Sequence, residues 1–298
     1  MKKANAIKLS FCLVPGVLLV GCILTPMIAS VARAQSTDRI VKNEELPDLD
    51  ALLARLRENQ QALEQLREKY AYTETITEYR LNKQGAAQEK KSETREMTVY
   101  RGRRIWRVIA KNGQPLSTKD QSKEDRRVEK VIRDLDSGNR VISPDNQRRV
   151  KLSELLRVSR FTNARRERFR QRDVIVIDFE PNPNFKPAHF YDRFINSLAG
   201  AIQVDERDLQ IARAEFQLVE AFKVGGGALA AMKPGSRFVA EQDRINDGIW
   251  LPTYDEVCVN ARAMLVANLD VKQKFTYGAY RSIDAKLEEN LKSQVADK

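Results

Sequence analysis

Histidine and cysteine are nearly missing from this chain of 298 residues, which holds one histidine, His189, and three cysteines. Two of those cysteines, Cys12 and Cys22, fall in an apolar segment at the start, so Cys258 stands alone in the rest. One histidine and one cysteine do not supply the three or four N/S ligands of a zinc centre, and a single thiol frames no intrachain disulfide. A Ser-His-Asp triad is open only through His189, in a proline-rich connection with no Gly-x-Ser-x-Gly elbow in the chain. Gly225-Gly226-Gly227 lacks the following Gly-Lys-Ser/Thr of a phosphate loop and reads as a turn. No catalytic residue, metal or cofactor is expected, and a hydrolase using His189 is kept only as an alternative.

What is present starts with a targeting signal. Lys2, Lys3 and Lys8 precede an apolar run from Phe11 to Val31, and Ala32-Arg33-Ala34 ends it in a small-x-small pattern. This predicts export with cleavage between Ala34 and Gln35, removing residues 1–34. Pro15, Gly21 and Pro26 within the run argue against a permanent span. Leu19-Val20-Gly21-Cys22 leaves a second reading, acylation at Cys22 and a membrane-anchored lipoprotein. The run after Cys22 stays apolar where a lipoprotein would carry a polar tether, so a periplasmic protein is favoured. The chain is basic, with a formal net charge of +11. Export removes nucleic acid from the expected partners and leaves peripheral contact with an anionic membrane.

Residues 35–45 read as a flexible lead. Pro47 and Asp48 then open a helix whose Leu49, Leu52, Leu53, Leu56, Leu63, Leu66 and Tyr70 recur at three- and four-residue steps, so one face is dry. Thr- and aromatic-rich strands follow at residues 72–79, 93–100 and 104–109, with Arg101-Gly102 and Asn112-Gly113 as turns, the spacing of an antiparallel meander. In the first strand, Glu74 and Glu78 read as its solvated face.

Residues 118–135 form a charged helix with Val128, Val131, Ile132 and Leu135 on one side, and 152–158 a shorter one. The strand at 174–179 is apolar on both faces and reads as a central strand. A short helix from Phe190 and strands to Tyr280 complete residues 46–283, leaving a charged tail at 284–298. Arg165 to Arg172 is the densest basic run, read as a solvated strand face beside acidic neighbours rather than an anionic-lipid surface. Ala228 to Met232 reads as a lid or a short buried helix.

Ile202-Gln203-Val204-Asp205, with Leu209 to Arg213 after an acidic turn, and Ile249-Trp250-Leu251-Pro252 at the start of another strand carry a resemblance. Together with the N-terminal helix and the meander, they make the chain similar to the outer-membrane lipoprotein-sorting (LolA/LolB-like) superfamily. That resemblance implies an α+β fold: a strongly curved antiparallel half-barrel of about nine strands with helices packed on its concave face. It also implies a non-enzymatic periplasmic protein whose apolar cavity accommodates acyl chains or lipoproteins. Trp106, Ile175, Ile177, Phe179 and Trp250 are the candidate lining or adjacent core residues. The charged helical insertion at 118–135 departs from the compact carriers and keeps open an envelope-stress or protein-interaction sensor with an envelope protein partner.

Overall fold

The computed structural model describes residues 45–81, 87–138, 150–224, 230–245, 248–263 and 267–283. The signal segment with Cys22, Ala34 and Gln35, the loop at 225–227 and the tail lie outside them. Helix α1 (Leu49–Arg67) starts as expected: Asp48 Oδ1 accepts a hydrogen bond from the Ala51 N–H at 2.8 Å, satisfying an otherwise orphaned donor of the first turn. It buries Leu52, Leu56 and Leu63, and with them Gln60.

The meander comprises β1 (Tyr70–Leu81), β2 (Ala87–Tyr100), β3 (Arg103–Lys111) and β4 (Gln114–Pro115). Arg101-Gly102 and Asn112-Gly113 both take positive φ at both positions, the backbone that matches a tight hairpin to the strands' twist. Helices α2 (Thr118–Asp136) and α3 (Leu152–Val158) follow, then β5 (Arg160–Phe169), β6 (Arg172–Glu180), α4 (Phe190–Ile195), β7 (Leu198–Asp205) and β8 (Gln210–Leu218). The chain continues through β9 (Phe222–Val224), β10 (Ala230–Met232), β11 (Arg237–Ile245), β12 (Ile249–Ala263) and β13 (Ala267–Ser282).

All pairings are antiparallel, in the order β4-β3-β2-β1-β13-β12-β11-β8-β7-β6-β5, with β10 and β9 continuing from one end of β12. β4 and β5 do not pair, so the sheet is an open, curved half-barrel of α+β class. Its thirteen strands among the described residues exceed the nine expected partly because β4, β9 and β10 are two or three residues long, too short to carry a period.

Residues directly opposite across a ladder share a face, so the register assigns sides. Phe179, Gly200, Phe216, Phe238 and Val257 stand in one row across five strands. This inner face meets α1 and α3 in the largest core cluster, which joins Leu52, Leu56, Leu155 and Leu156 to Ile175, Ile177, Ile202 and Phe216. Burial of that apolar surface is the main stabilising term of the fold.

Three expectations are corrected. β6 lies next to the edge strand β5, not at the centre. Its outer-face Val174 and Val176, opposite Glu167 and Arg165 on β5 and Asp205 and Gln203 on β7, are buried as well, so the strand is apolar on both faces without being central. Residues 230–232 are a strand rather than a lid or helix, paired with Ala261, Arg262 and Ala263. Helix α2 does not join α1 and α3: its Val128 and Ile132 pack on Ile105 and Tyr100, whose side chains point to the outer face.

α2 also covers a strand edge. Glu124 Oε1 accepts from the Val108 N–H at 2.8 Å, and Arg127 donates to the Trp106 carbonyl, so side chains replace a neighbouring strand where the short β4 has ended. Arg107 and Asp125 add an ion pair at 2.5 Å.

Candidate ligand-binding face

The five residues singled out from sequence are all buried, and the fold divides them. Ile175, Ile177 and Phe179 alternate along β6 and point together into the cluster under α1 and α3. Trp106 lies in a second cluster with Tyr72, Ile76, Met97 and Phe275. Trp250 packs in a small third group with Leu63 and Ala212. One of the three groups therefore contains most of the candidate set, and the two tryptophans belong to other parts of the inner layer.

A row of phenylalanine rings leads from the surface into that group. Phe190, 46% exposed on α4, lies 4.7 Å from Phe222 between ring centroids. Phe222 is 5.2 Å from Phe194, Phe194 is 6.0 Å from Phe238, and Phe238 stacks on Phe216 at 5.4 Å. Phe216 reaches Phe179 at 6.2 Å, and Phe179 is 2% exposed. These spacings are those of favourable offset and edge-to-face ring pairs. Gly200 lets the last two meet, since it stands between them in register and carries no side chain. The sequence reading missed this row: Phe190 and Phe194 stand four apart on one helix, but nothing local ties them to Phe222 or Phe238.

At the outer end of the row is an open hollow of about 490 Å³. Pro187, Phe190, Arg193 and Asn196 form one side, and Glu220, Phe222 and Lys223 the other. The Arg193 guanidinium sits 5.7 Å from the Phe190 ring centre, in cation–π range. Asn196 is a fixed wall: its Oδ1 accepts from the Asn182 N–H at 2.7 Å and its Nδ2 donates to the Asn182 carbonyl at 3.2 Å.

The second half of α1 faces polar groups instead. Gln242 Nε2 donates to Ile211 O at 2.8 Å and to Gln60 Oε1 at 3.2 Å. The Arg67 guanidinium lies 5.4 Å from the Tyr72 ring centre and 5.8 Å from that of Tyr277, and donates to the Tyr72 hydroxyl at 3.2 Å. Tyr277 donates its hydroxyl proton to Asp255 Oδ2 at 2.8 Å. Asp255 as a residue keeps some surface, but burial of its carboxyl pushes it up to about 6, against the opposing pull of the Tyr277 bond and the Arg67 charge. Glu74, 4% exposed, stands between Arg95 and Tyr277 in register on this same face. It is not solvated as its Thr-rich strand suggested. The threonines Thr73, Thr75 and Thr77 take the outer face, and Glu74 turns inward.

His189 is exposed at the N-terminal end of α4. The nearby Asp192 accepts from Arg157 at 2.6 Å and from the Ala188 N–H at 3.2 Å. Among the described residues no group of three or more metal-ligating side chains occurs, and no helix is long and apolar enough to cross a membrane.

The Arg165 to Arg172 run is neutralised by the fold. Arg165 pairs with Glu167 and Asp178, Arg166 with Glu206, Arg168 with Asp173, Arg170 with Glu241 and Arg172 with Asp243. The two stretches that carried the family resemblance meet in space: Asp208, in the acidic turn, accepts from Trp250 Nε1 at 2.8 Å and from Arg244 at 2.6 Å. Burial would raise the Asp208 carboxyl, but those two donors hold it below its ordinary value.

No family model and no curated protein matches the chain. Among solved structures it is similar to a putative outer membrane lipoprotein-sorting protein domain from Vibrio parahaemolyticus, at 11% identity and a TM-score of 0.36, over 83% of this chain and all of that one. A DUF1329 family protein from Desulfovibrio piger is similar at 10% identity and a TM-score of 0.35, over 79% of this chain and 93% of that one. The MucA/MucB complex of Pseudomonas aeruginosa matches at 11% identity and a TM-score of 0.19, over 79% of this chain and 99% of that one. A lipoprotein-sorting domain is thus among the folds this chain is similar to. Nothing about ligand or partner transfers at that level of likeness.

Proposed function

We propose that the chain is an exported, non-catalytic protein of the cell envelope that holds an acyl chain against the inner face of its half-barrel. The observation that carries this reading is the row of phenylalanine rings from exposed Phe190 to buried Phe179. A continuous apolar path that starts in solvent is a way into a core that an ordinary closed domain lacks. Half-buried Leu49, Leu53, Phe185, Phe194 and Met232 border the same cluster, and side chains with that much freedom can part around a slender guest.

Ile175, Ile177 and Phe179 would line the inner end. Each methylene moved from water to such a site contributes about 0.8 kcal/mol. Most of a long chain then gives roughly micromolar affinity after an association cost of several kcal/mol. The Lys2, Lys3 and Lys8 region, the apolar run and Ala32-Arg33-Ala34 support export, with Gln35 as the first mature residue. Intact mass of envelope-extracted protein tests that, and a diacylated Cys22 at the N-terminus would replace it with a membrane-anchored form.

Binding is tested with fluorescent fatty-acid analogues of increasing length. Saturable binding that tightens with each added methylene and weakens in Phe222→Ala is expected. No saturable signal at tens of micromolar, with a stable protein complex recovered from the envelope instead, would end the acyl reading in favour of an interaction module.

A further inference from the structure

The hollow at the outer end of the phenylalanine row is distinguished by its charges. In this part of the chain arginines are paired as a rule: Arg157 with Glu154 and Asp192, Arg213 with Glu215 and Glu241, Arg237 with Glu215, Arg244 with Asp208. Arg193 and Lys223, like Arg207 and Lys186, stand outside these pairs. Among the described residues neither Arg193 nor Lys223 has an ion-pair partner, and both line the hollow beside the two outermost rings of the row. Phe190 fixes the height of the guanidinium, since Arg193 lies over its ring.

Glu220 lines the hollow too and carries the opposite charge. The rim therefore holds two cations and one anion, a surplus of a single positive charge. That balance fits a monoanionic head rather than a doubly charged one. Guanidinium presents its N–H groups in a planar fork that matches the two oxygens of a carboxylate. Asn196 is held in place by Asn182 through its Oδ1 and one amide N–H, so its orientation at the edge of the hollow is set by the protein.

Resting on the acyl-binding reading, we infer that this hollow is the head-group subsite: it holds a fatty-acid carboxylate between Arg193 and Lys223 while the alkyl chain runs inward past Phe190 and Phe222. The ligand class is then a free fatty-acid anion. The entrance faces solvent at α4 and β9, and the chain's methyl end points toward Phe179.

The test uses the full mature protein and displacement of an apolar fluorescent probe by palmitate, hexadecanol and a palmitoyl lysophospholipid. At mildly alkaline pH palmitate is expected to bind about tenfold more tightly than hexadecanol, the size of one charge-assisted contact. Arg193→Gln with Lys223→Gln should erase that preference while hexadecanol still binds saturably, whereas Glu220→Gln should enlarge it. These side chains are on the rim, and unchanged melting temperatures would establish that the variants fold. Equal affinity for palmitate and hexadecanol, with dependence on chain length retained, would overturn the head-group assignment and leave acyl binding standing. A preference for the lysophospholipid over palmitate would overturn the choice of a carboxylate. Binding of none of the three would remove the acyl reading itself, and this inference with it.

Discussion

Among single residues, Asp255 sets the clearest pH dependence. Its carboxyl is raised by burial to about 6, above the value it takes in an unfolded chain. The folded state therefore takes up this proton first, and ionising the group costs stability as pH rises from about 4 to about 6, after which the penalty is constant. Two units correspond to roughly 3 kcal/mol as an upper bound. Asp255→Asn keeps an acceptor for the Tyr277 hydroxyl and removes the buried charge. The variant should be more stable than the parent by ~1–3 kcal/mol at neutral pH, with the difference closing below about pH 4. Urea unfolding of both proteins across that range measures it. The difference is the quantity to read, because Asp192 and Glu215, held low by bonded arginines, make the parent lose stability in acid. A gap that did not change with pH would show that the carboxyl is not buried in its charged form. None of this was visible in Thr253-Tyr254-Asp255-Glu256, where four polar residues alternate with no sign of which carboxyl is enclosed.

Elements impose their own constraints, and Gly200 on β7 is the tightest. A Cβ there would stand 2.0 Å from the Glu215 carbonyl oxygen and 2.6 Å from the Phe216 Cα, both backbone atoms that cannot yield without breaking the β7–β8 ladder. Gly200→Ala should destabilise by about 1–3 kcal/mol or more, as over-packing does elsewhere. Gly278→Ala, with nothing within 4 Å of its Cβ, should be near neutral, and denaturant midpoints compare the two. Ala199-Gly200-Ala201 gives no local hint, since the crowding comes from two strands that meet there.

Helix α2 makes a second element-scale prediction. Glu124 and Arg127 occupy the free edge of β3 at Val108 and Trp106, and an uncovered edge is a template for pairing between molecules. The double variant Glu124→Ala and Arg127→Ala should remain folded through Val128 and Ile132 but self-associate, read by light scattering as concentration rises. Scattering equal to that of the parent would assign the helix another purpose. The amphipathic pattern at 118–135 located the helix, while its side of the sheet depended on the outward turn of Ile105.

At the scale of the whole domain, cohesion comes from the apolar layer between α1, α3 and the inner face, and among the described residues no disulfide adds to it. Cys258 on β12 is half-buried, and burial pushes its thiol up, away from ready oxidation. Neither reductant nor chelator should move the melting temperature of the mature protein. A shift of several degrees with reductant would reveal an intermolecular disulfide, and one with chelator a bound metal. Leu56→Ala, at the centre of the layer and 1% exposed, should cost about 2–5 kcal/mol, far more than either reagent.

The sequence by itself determined the types and approximate bounds of the long elements. The Thr- and aromatic-rich run of β1, the three- and four-residue steps of α1, and the Asn112-Gly113 turn are local properties of the backbone and its neighbours. The tertiary structure alone decided which face each strand turns inward, because that depends on register with strands distant in sequence, as where Tyr70 lies opposite Ser282. Glu74 went inside and α2 outside for that reason. The row from Phe190 to Phe179 is of the same kind, since its members come from α4, β6, β8, β9 and β11. Only the pairing of distant strands and the docking of α4 bring each ring within 6.2 Å of the next.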